Sequence, residues 1–274
     1  MPQASELQLC LKELHLSVAA ECYGDSAEEA RRENSTHEEF LLALVRRELE
    51  QRRENRTARW LHESRLPLEK NLESFDRARL PARVASAVKT LLEGEFLDRA
   101  ENVLAFGNPG SGKTHLICAL AQELIQRGRR ILFCSCQLLV QDLLRAKREL
   151  DLAQEFKRLA RYEALIIDDI GYVQQDREEM EVLFALLADR YERRSLMITS
   201  NLPFSKWETI FKDPMTTAAA IDRLIHHSTI VELNLPSYRL QAAKRGVARE
   251  VSPDSIQAPV ASPDREKHAK EVDR

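Results

Sequence analysis

Asn102-Val103-Leu104-Ala105-Phe106-Gly107-Asn108-Pro109-Gly110-Ser111-Gly112-Lys113-Thr114 is the stretch that decides the fold. It opens on a short apolar run of strand length. Gly107 to Thr114 then fit the pattern GxxxxGK[ST], and Leu116, Ile117, Leu120 and Leu124 recur at helical spacing up to Gly128. A strand, a glycine-rich turn and a helix form the context in which that pattern has a physical meaning. The glycines let the turn fold tightly and aim backbone N–H groups inward, and the helix N-terminus adds its own unpaired donors. The expected product is an anion cradle made by Gly107, Asn108, Pro109, Gly110, Ser111, Gly112, Lys113 and Thr114. Lys113 is expected to reach the β- and γ-phosphates of ATP, and the Thr114 hydroxyl to ligate Mg²⁺. The competing reading is an accidental glycine-rich turn, which the flanking elements argue against.

Downstream, short apolar runs alternate with amphipathic stretches, the mark of a parallel α/β sheet. The pattern predicts strands over 102–106, 130–135, 164–169, 195–201 and 228–233. It predicts helices over 112–127, 136–160 and 176–193. The third strand runs from Ala164 through Leu165, Ile166 and Ile167 into Asp168-Asp169. A buried strand ending in acids puts a carboxylate at the C-terminal edge of a parallel sheet, where ligands bind. Asp168 is expected to hold Mg²⁺ and Asp169 to activate the attacking water. The plainer alternative makes Asp169 a cap of the turn that follows. The fourth strand ends in Thr199, Ser200 and Asn201, and Asn201 is the candidate contact to the γ-phosphate or the water. It reads equally well as a turn residue before Leu202-Pro203.

Upstream, residues 1–95 read as a helical N-terminal domain and connector, 96–244 as the ATPase domain, and 245–274 as a disordered tail with Pro253, Pro259 and Pro263. Ser35 and Thr36 precede Glu38 and Glu39 at capping-box spacing. The long helix that follows places Leu41, Leu44, Val45 and Leu49 on one face and is ended by Pro67. A second helical stretch lies near 82–98. Apolar residues make up 43% of the 274 residues, enough for a packed core, and the net charge of −3 leaves any nucleic-acid surface to a local patch. The five cysteines are odd in number and include no CxxC pair, which argues against a disulfide framework or a zinc site; Cys134 and Cys136 read as core. The start of the chain lacks the pattern of a secretory leader, and no stretch approaches membrane-span length, so a cytoplasmic location without membrane contact is expected.

Taken together, GNPGSGKTHL (107–116), LIIDDIGY (165–172), MITSNLPFSKWETIF (197–211), AAAIDRLIHHSTIVEL (218–233) and SYRL (237–240) resemble the AAA+ ATPases. More narrowly they resemble the IstB-like helper ATPases of bacterial insertion sequences, relatives of the helicase loader DnaC. The resemblance covers about residues 8–244. It implies an α/β fold: a P-loop AAA+ three-layer core around a central parallel five-stranded sheet, preceded by a small all-α domain and lacking the usual helical lid. It implies that Arg223 is an arginine finger acting in trans, and hence a homo-oligomer. Arg239 would be a second nucleotide-sensing residue, although Leu235-Pro236 depart from the glycine and acid that relatives carry before SYR. The implied work is ATP-dependent assembly on duplex DNA to help a transposase choose its target. A helicase loader, with a helicase as partner, or a nucleotide-switched interaction module are the alternatives.

Other residues have plainer readings. Arg52, Arg53, Arg56 and Arg59 form a basic stripe that could meet phosphates or simply face solvent. Lys206 and Trp207 could mark a DNA-facing loop, but a tryptophan there is more often core. Met180 and Leu183 have core spacing. His226 and His227, adjacent on a helix, point to different faces and make a poor metal pair.

Overall fold

The computed structural model describes residues 2–171, 176–207 and 214–238. Three helices open the chain: α1 (Pro2–Glu13), α2 (Ser17–Glu33) and α3 (His37–Glu63). The capping box forms at the start of α3, where the Thr36 hydroxyl accepts from the Glu39 N–H and Glu39 accepts in return from the Thr36 N–H. Helix α3 stops at Glu63, short of Pro67, and Arg65 takes φ 57°. Of its expected core face only Leu44 is buried; Leu41, Val45 and Leu49 are exposed. The physical reason is that α2 packs along the Leu44 edge of that face, where Glu48, one turn on from Leu44, is buried and accepts from the Val18 and Ala19 N–H groups at 2.9 and 3.2 Å. Arg52 completes that contact at 2.8 Å, and these bonds hold the Glu48 carboxyl below the usual carboxylate range despite its burial.

The rest of the described chain runs α4 (Ala82–Glu93), α5 (Glu95–Asp98), β1 (Asn102–Phe106), α6 (Lys113–Gln126), β2 (Ile131–Ser135), α7 (Cys136–Arg148), α8 (Leu152–Leu159), β3 (Ala164–Ile170), α9 (Arg177–Arg190), β4 (Ser195–Ser200), α10 (Pro214–Ile225) and β5 (Ser228–Glu232). All five strands pair in parallel, in the order β2-β3-β4-β1-β5. Alternation along the strands splits the core in two. Leu104, Leu165, Ile167, Leu196 and Ile198 face α7, α8, α9 and α10. Val103, Ala105, Ala164, Ile166 and Met197 face α6, with Val84, Val88 and Leu91 of α4 in the same cluster. The molecule therefore has three layers.

Two polar devices fix the sheet. Buried Asn102 ties β1 to β4 through the Leu196 N–H at 2.9 Å and to the end of α10 through the Leu224 carbonyl at 3.2 Å. Buried Arg190 donates to the carbonyls of Leu159, Tyr162 and Ser195, each at 3.1 Å, joining the starts of β3 and β4 to the end of α8. Burial brings its pKa down to about 10, which leaves it charged at neutral pH. At the sheet edge, the Phe133 N–H of β2 donates to the Ser64 carbonyl at 2.8 Å, so the end of α3 covers an otherwise open strand.

The helix expected over 136–160 is two helices, broken at Glu149-Leu150-Asp151. Trp207 is core: it is fully buried, donates to the Leu202 carbonyl at 3.1 Å and packs against Phe106 and Phe204. Cys136 is buried, and Cys134 is half-buried with its thiol pushed up to about 11 by burial. Met180 and Leu183 are also core. No helix of the described residues is long and apolar enough to cross a membrane. Arg239 and the expected tail over 245–274 lie outside the described residues.

Candidate nucleotide site

Strands β1 and β4 are neighbours, so the loops at their C-terminal ends meet above the same edge of the sheet. The loop after β1 passes close to other backbone. A side chain at Gly107 would meet the Leu233 carbonyl oxygen at 2.2 Å, and one at Gly110, where φ is 77°, would meet Ser237 Oγ at 2.2 Å. The glycines are thus required by close approach as well as by backbone conformation.

Lys113 opens α6 and is buried. Its Nζ donates to the carbonyls of Gly107 at 2.8 Å and Asn108 at 3.0 Å, and to Asn201 Oδ1 at 2.6 Å. Thr114 Oγ1 donates to Asp168 Oδ1 at 2.8 Å, and Thr199 Oγ1 donates to the same oxygen at 2.7 Å. Thr199 also accepts from the Asp169 N–H at 2.8 Å. That hydroxyl therefore fixes both acids.

The acid pair owes its placement to a local irregularity. The register between β3 and β4 shifts between Ile167 and Ile170, and Asp169 takes φ 58°. In a regular strand successive side chains point to opposite faces. The bulge re-aims the backbone, leaving Asp168 on Thr114 and Asp169 exposed at the cavity.

A cavity of about 390 Å³ opens beside the loop, with Phe75, Arg79, Lys113, Asp169, Asn201 and Tyr238 among its lining residues. Its far wall comes from the connector before α4. His115 Nε2 lies 2.9 Å from the Asn71 carbonyl and 3.2 Å from Ser74 Oγ, and the Phe75 ring meets the His115 ring edge-on at 5.2 Å. Arg79 donates to the Pro236 carbonyl at 2.7 Å and lies over the Tyr238 ring, while the Tyr238 N–H donates to the Gly110 carbonyl at 2.9 Å. Ser111 Oγ is buried in the loop without a hydrogen-bond partner among the described residues. An unpaired donor in a glycine-rich loop that leads into a helix N-terminus fits a bound anion.

A buried lysine at the start of α6 thus stands beside a carboxylate that accepts from two hydroxyls, in a chain whose sheet order is β2-β3-β4-β1-β5. The sequence model of the IstB-like ATP binding protein family matches residues 9–246. The chain belongs to the IstB-like ATP-binding protein family. An insertion-sequence ATP-binding protein of Sinorhizobium fredii is 42% identical over 240 residues, covering 87% of this chain and 80% of the relative. The insertion sequence IS21 ATP-binding protein of Pseudomonas aeruginosa is 36% identical over 243 residues, covering 88% and 91%. Among solved structures, the DnaC helicase loader superposes with a TM-score of 0.53 at 17% identity, covering 61% of this chain and 97% of that one. AMPPCP-bound DnaA from Aquifex aeolicus superposes with a TM-score of 0.53 at 18% identity, covering 70% and 58%. These likenesses show the AAA+ fold, as the sequence reading expects.

In this IstB-like chain the structure brings together Lys113, Thr114, Asp168, Asp169 and Asn201. It does not bring Arg223 to them. Arg223 lies on α10 with its guanidinium carbon 4.7 Å over the Phe184 ring, and its Nη1 is buried without a hydrogen-bond partner among the described residues. The four expected stripe arginines divide: Arg52 holds Glu48, Arg56 lies over the Trp60 ring at 5.3 Å, Arg59 sits 3.8 Å from Glu63, and Arg53 makes no such contact among the described residues. His226 and His227, expected to diverge on a helix, have ring centroids 4.1 Å apart beside Glu192, because α10 ends at Ile225 and they lie in the turn after it. His226 bonds the Tyr191 hydroxyl at 2.9 Å. Sequence reading missed Phe75, Arg79, His115 and Tyr238. The signal available was an aromatic residue in a polar connector (ESFDRAR) and a histidine directly after the GKT motif.

Proposed function

We propose that this chain hydrolyses ATP with Mg²⁺ as a DNA-bound oligomer that assists a transposase in target selection. The observation that carries the hydrolytic reading is the contact of Thr114 Oγ1 with Asp168 Oδ1 at 2.8 Å beside buried Lys113. A hydroxyl and a carboxylate so placed are the oxygen donors that a hard divalent cation takes. Thr114 and Asp168 would hold Mg²⁺, which when bound supplies neutralising charge to the phosphates.

The chain's own residues divide the remaining work. Backbone N–H groups from Gly107 to Thr114 cradle the phosphate oxygens. Lys113 exchanges its present acceptors, the Gly107 and Asn108 carbonyls, for phosphate oxygens. Asp169 takes the proton of the attacking water, and Asn201, released from Lys113, orients that water or the γ-phosphate. Arg223 of a neighbouring copy neutralises charge developing on the transferred group.

The transposition role is supported by relatives whose names place them in insertion sequences. The helicase-loader alternative has only fold likeness behind it, since the DnaC structure is 17% identical. The DNA partner is proposed as duplex and bound without sequence preference through phosphates, so affinity should fall steeply with salt. The division into domains at about residues 95 and 244 and a cytoplasmic location belong to the same proposal. The test is ATP turnover with and without duplex DNA, together with particle mass with and without ATP. DNA-stimulated turnover and ATP-dependent assembly, both lost in Lys113→Ala, are expected. ATP binding without turnover under every DNA condition would leave only the nucleotide-switched interaction module. A pull-down that captured a replicative helicase and no transposase would favour the loader.

A further inference from the structure

One side of α3 carries Leu42, Val45 and Leu49, which are 48%, 45% and 49% exposed. Leu42, Val45 and Leu49 follow the three-then-four spacing of a helix–helix seam. Glu38 continues the seam at its N-terminal end, and Arg52, Arg53 and Arg56 continue it toward the C-terminal end. The stripe is therefore apolar in the middle, acidic at one end and basic at the other.

That arrangement is self-complementary in one direction only. We propose that two copies of this chain pair through α3, antiparallel, about a two-fold axis beside Val45. Setting Leu42 of one copy against Leu49 of the other puts the axis between Val45 and Arg46, with the two Val45 side chains flanking it. The same register sets Glu38 against Arg53 of the second copy, twice over. Parallel pairing would instead stack acid on acid and arginine on arginine, which is unfavourable. Glu38 and Arg53 make no ion pair within the chain among the described residues, so both are available. Glu39 and Arg52 would also come opposite, but each already has a local partner, in the capping box and in Glu48.

A groove beside the stripe, lined by Arg46, Leu49, Glu50, Arg53, Thr57 and Leu61, lies where the N-terminal end of the second α3 would arrive. A two-fold contact uses the same patch on both copies, and this patch meets that condition without added residues. The contact is remote from Lys113 and Arg223 and needs no nucleotide. It stands whether or not the proposed hydrolysis does.

The test is sedimentation of the full chain without nucleotide, with reversed charges. Wild-type chain is expected to form a concentration-dependent dimer, retained in Lys113→Ala. Glu38→Arg and Arg53→Glu should each weaken it by about tenfold, because each creates like-charge contacts on both sides of the axis. The double variant Glu38→Arg/Arg53→Glu should recover the dimer, since the pairs are re-formed with signs exchanged. Circular dichroism of each variant checks that these exposed changes leave the fold intact. As a second measurement, Val45→Cys in a Cys10→Ser/Cys22→Ser background should give a disulfide-linked dimer on mild oxidation. A monomer at every concentration tested, a double variant as weak as the single ones, or no cross-link at position 45 would each overturn the proposal. In the second of those outcomes the stripe would serve a partner other than a copy of itself.

Discussion

Asp168 and Asp169 are neighbours in the chain with different surroundings, and the difference assigns them different work. Asp168 is half-buried and held by the Thr114 and Thr199 hydroxyls, while Asp169 is exposed, with its backbone N–H on Thr199. Asp169→Asn is expected to bind ATP as wild type does and to lose turnover by about a hundredfold or more, the usual contribution of a general base. Asp168→Asn is expected to lose turnover at ordinary Mg²⁺ and to need a higher Mg²⁺ concentration for any that remains. Steady-state turnover beside fluorescent-nucleotide binding separates the two, and an Asp169→Asn chain with full turnover would reduce that residue to a turn cap. A second residue-scale expectation concerns Cys118, buried in α6 with its thiol pushed up to about 12 by burial. A thiol whose pKa rises on folding contributes its full stability below its unfolded value near 9.0 and loses it as pH climbs toward 12. The urea midpoint should therefore fall above about pH 9, and the fall should be shallower in Cys118→Ala. At pH 8 an alkylating reagent should modify exposed Cys10 and spare Cys118 until the chain unfolds. Lys113, Thr114 and the acids were legible in the sequence because their chemistry depends on order along one segment. Phe75 and Arg79 were not, because they reach the cavity from a connector with no periodicity.

Strands were legible from short apolar runs, and each observed strand lies within about one residue of its expected place. Helix boundaries were less so where glycine, the usual punctuation, is missing. Between α7 and α8 the Leu150 N–H donates to the Lys147 carbonyl and the Asp151 N–H to the Ala146 carbonyl. That is the paired-bond helix stop normally built on a left-handed glycine. Here Leu150 occupies the left-handed position, at φ 58° and 94% exposed. Reading 136–160 as one helix follows from a leucine where a glycine would have ended it. Leu150→Gly should relieve the strain without removing any packing, and stabilise the chain by about 1 kcal/mol in a urea melt. Unchanged stability would mean the loop is held by other contacts. The apolar face of α3 shows the complementary limit: periodicity predicts that Leu41, Val45 and Leu49 share a face, but not what covers it.

At the scale of the molecule, one chain supplies every proposed catalytic group except Arg223. That residue stays on α10 against Phe184, away from the cavity lined by Lys113 and Asn201. A guanidinium whose Nη1 is buried without a hydrogen-bond partner among the described residues carries a cost that a further acceptor, such as one from a neighbouring copy, would relieve. If that acceptor is a neighbour's ATP, each working site draws on two copies, and two different defects can complement each other. Arg223→Ala should keep its ATP affinity and lose turnover by about a thousandfold, the scale of an arginine finger. Lys113→Ala should lose ATP binding while keeping its Arg223 in place. Mixing the two inactive chains should restore turnover, because an Arg223→Ala chain with an intact cradle can receive the arginine of a Lys113→Ala neighbour. Only a junction that joins an Arg223→Ala cradle to a Lys113→Ala neighbour is complete, about one in four of the possible combinations, so recovery should be partial. Adding a chain that carries both substitutions should give no such recovery, since it can offer neither half of the site. If the mixture stays as inactive as its parts while wild type diluted by the double variant remains active, Arg223 does not act across the junction, and its burial against Phe184 is purely structural.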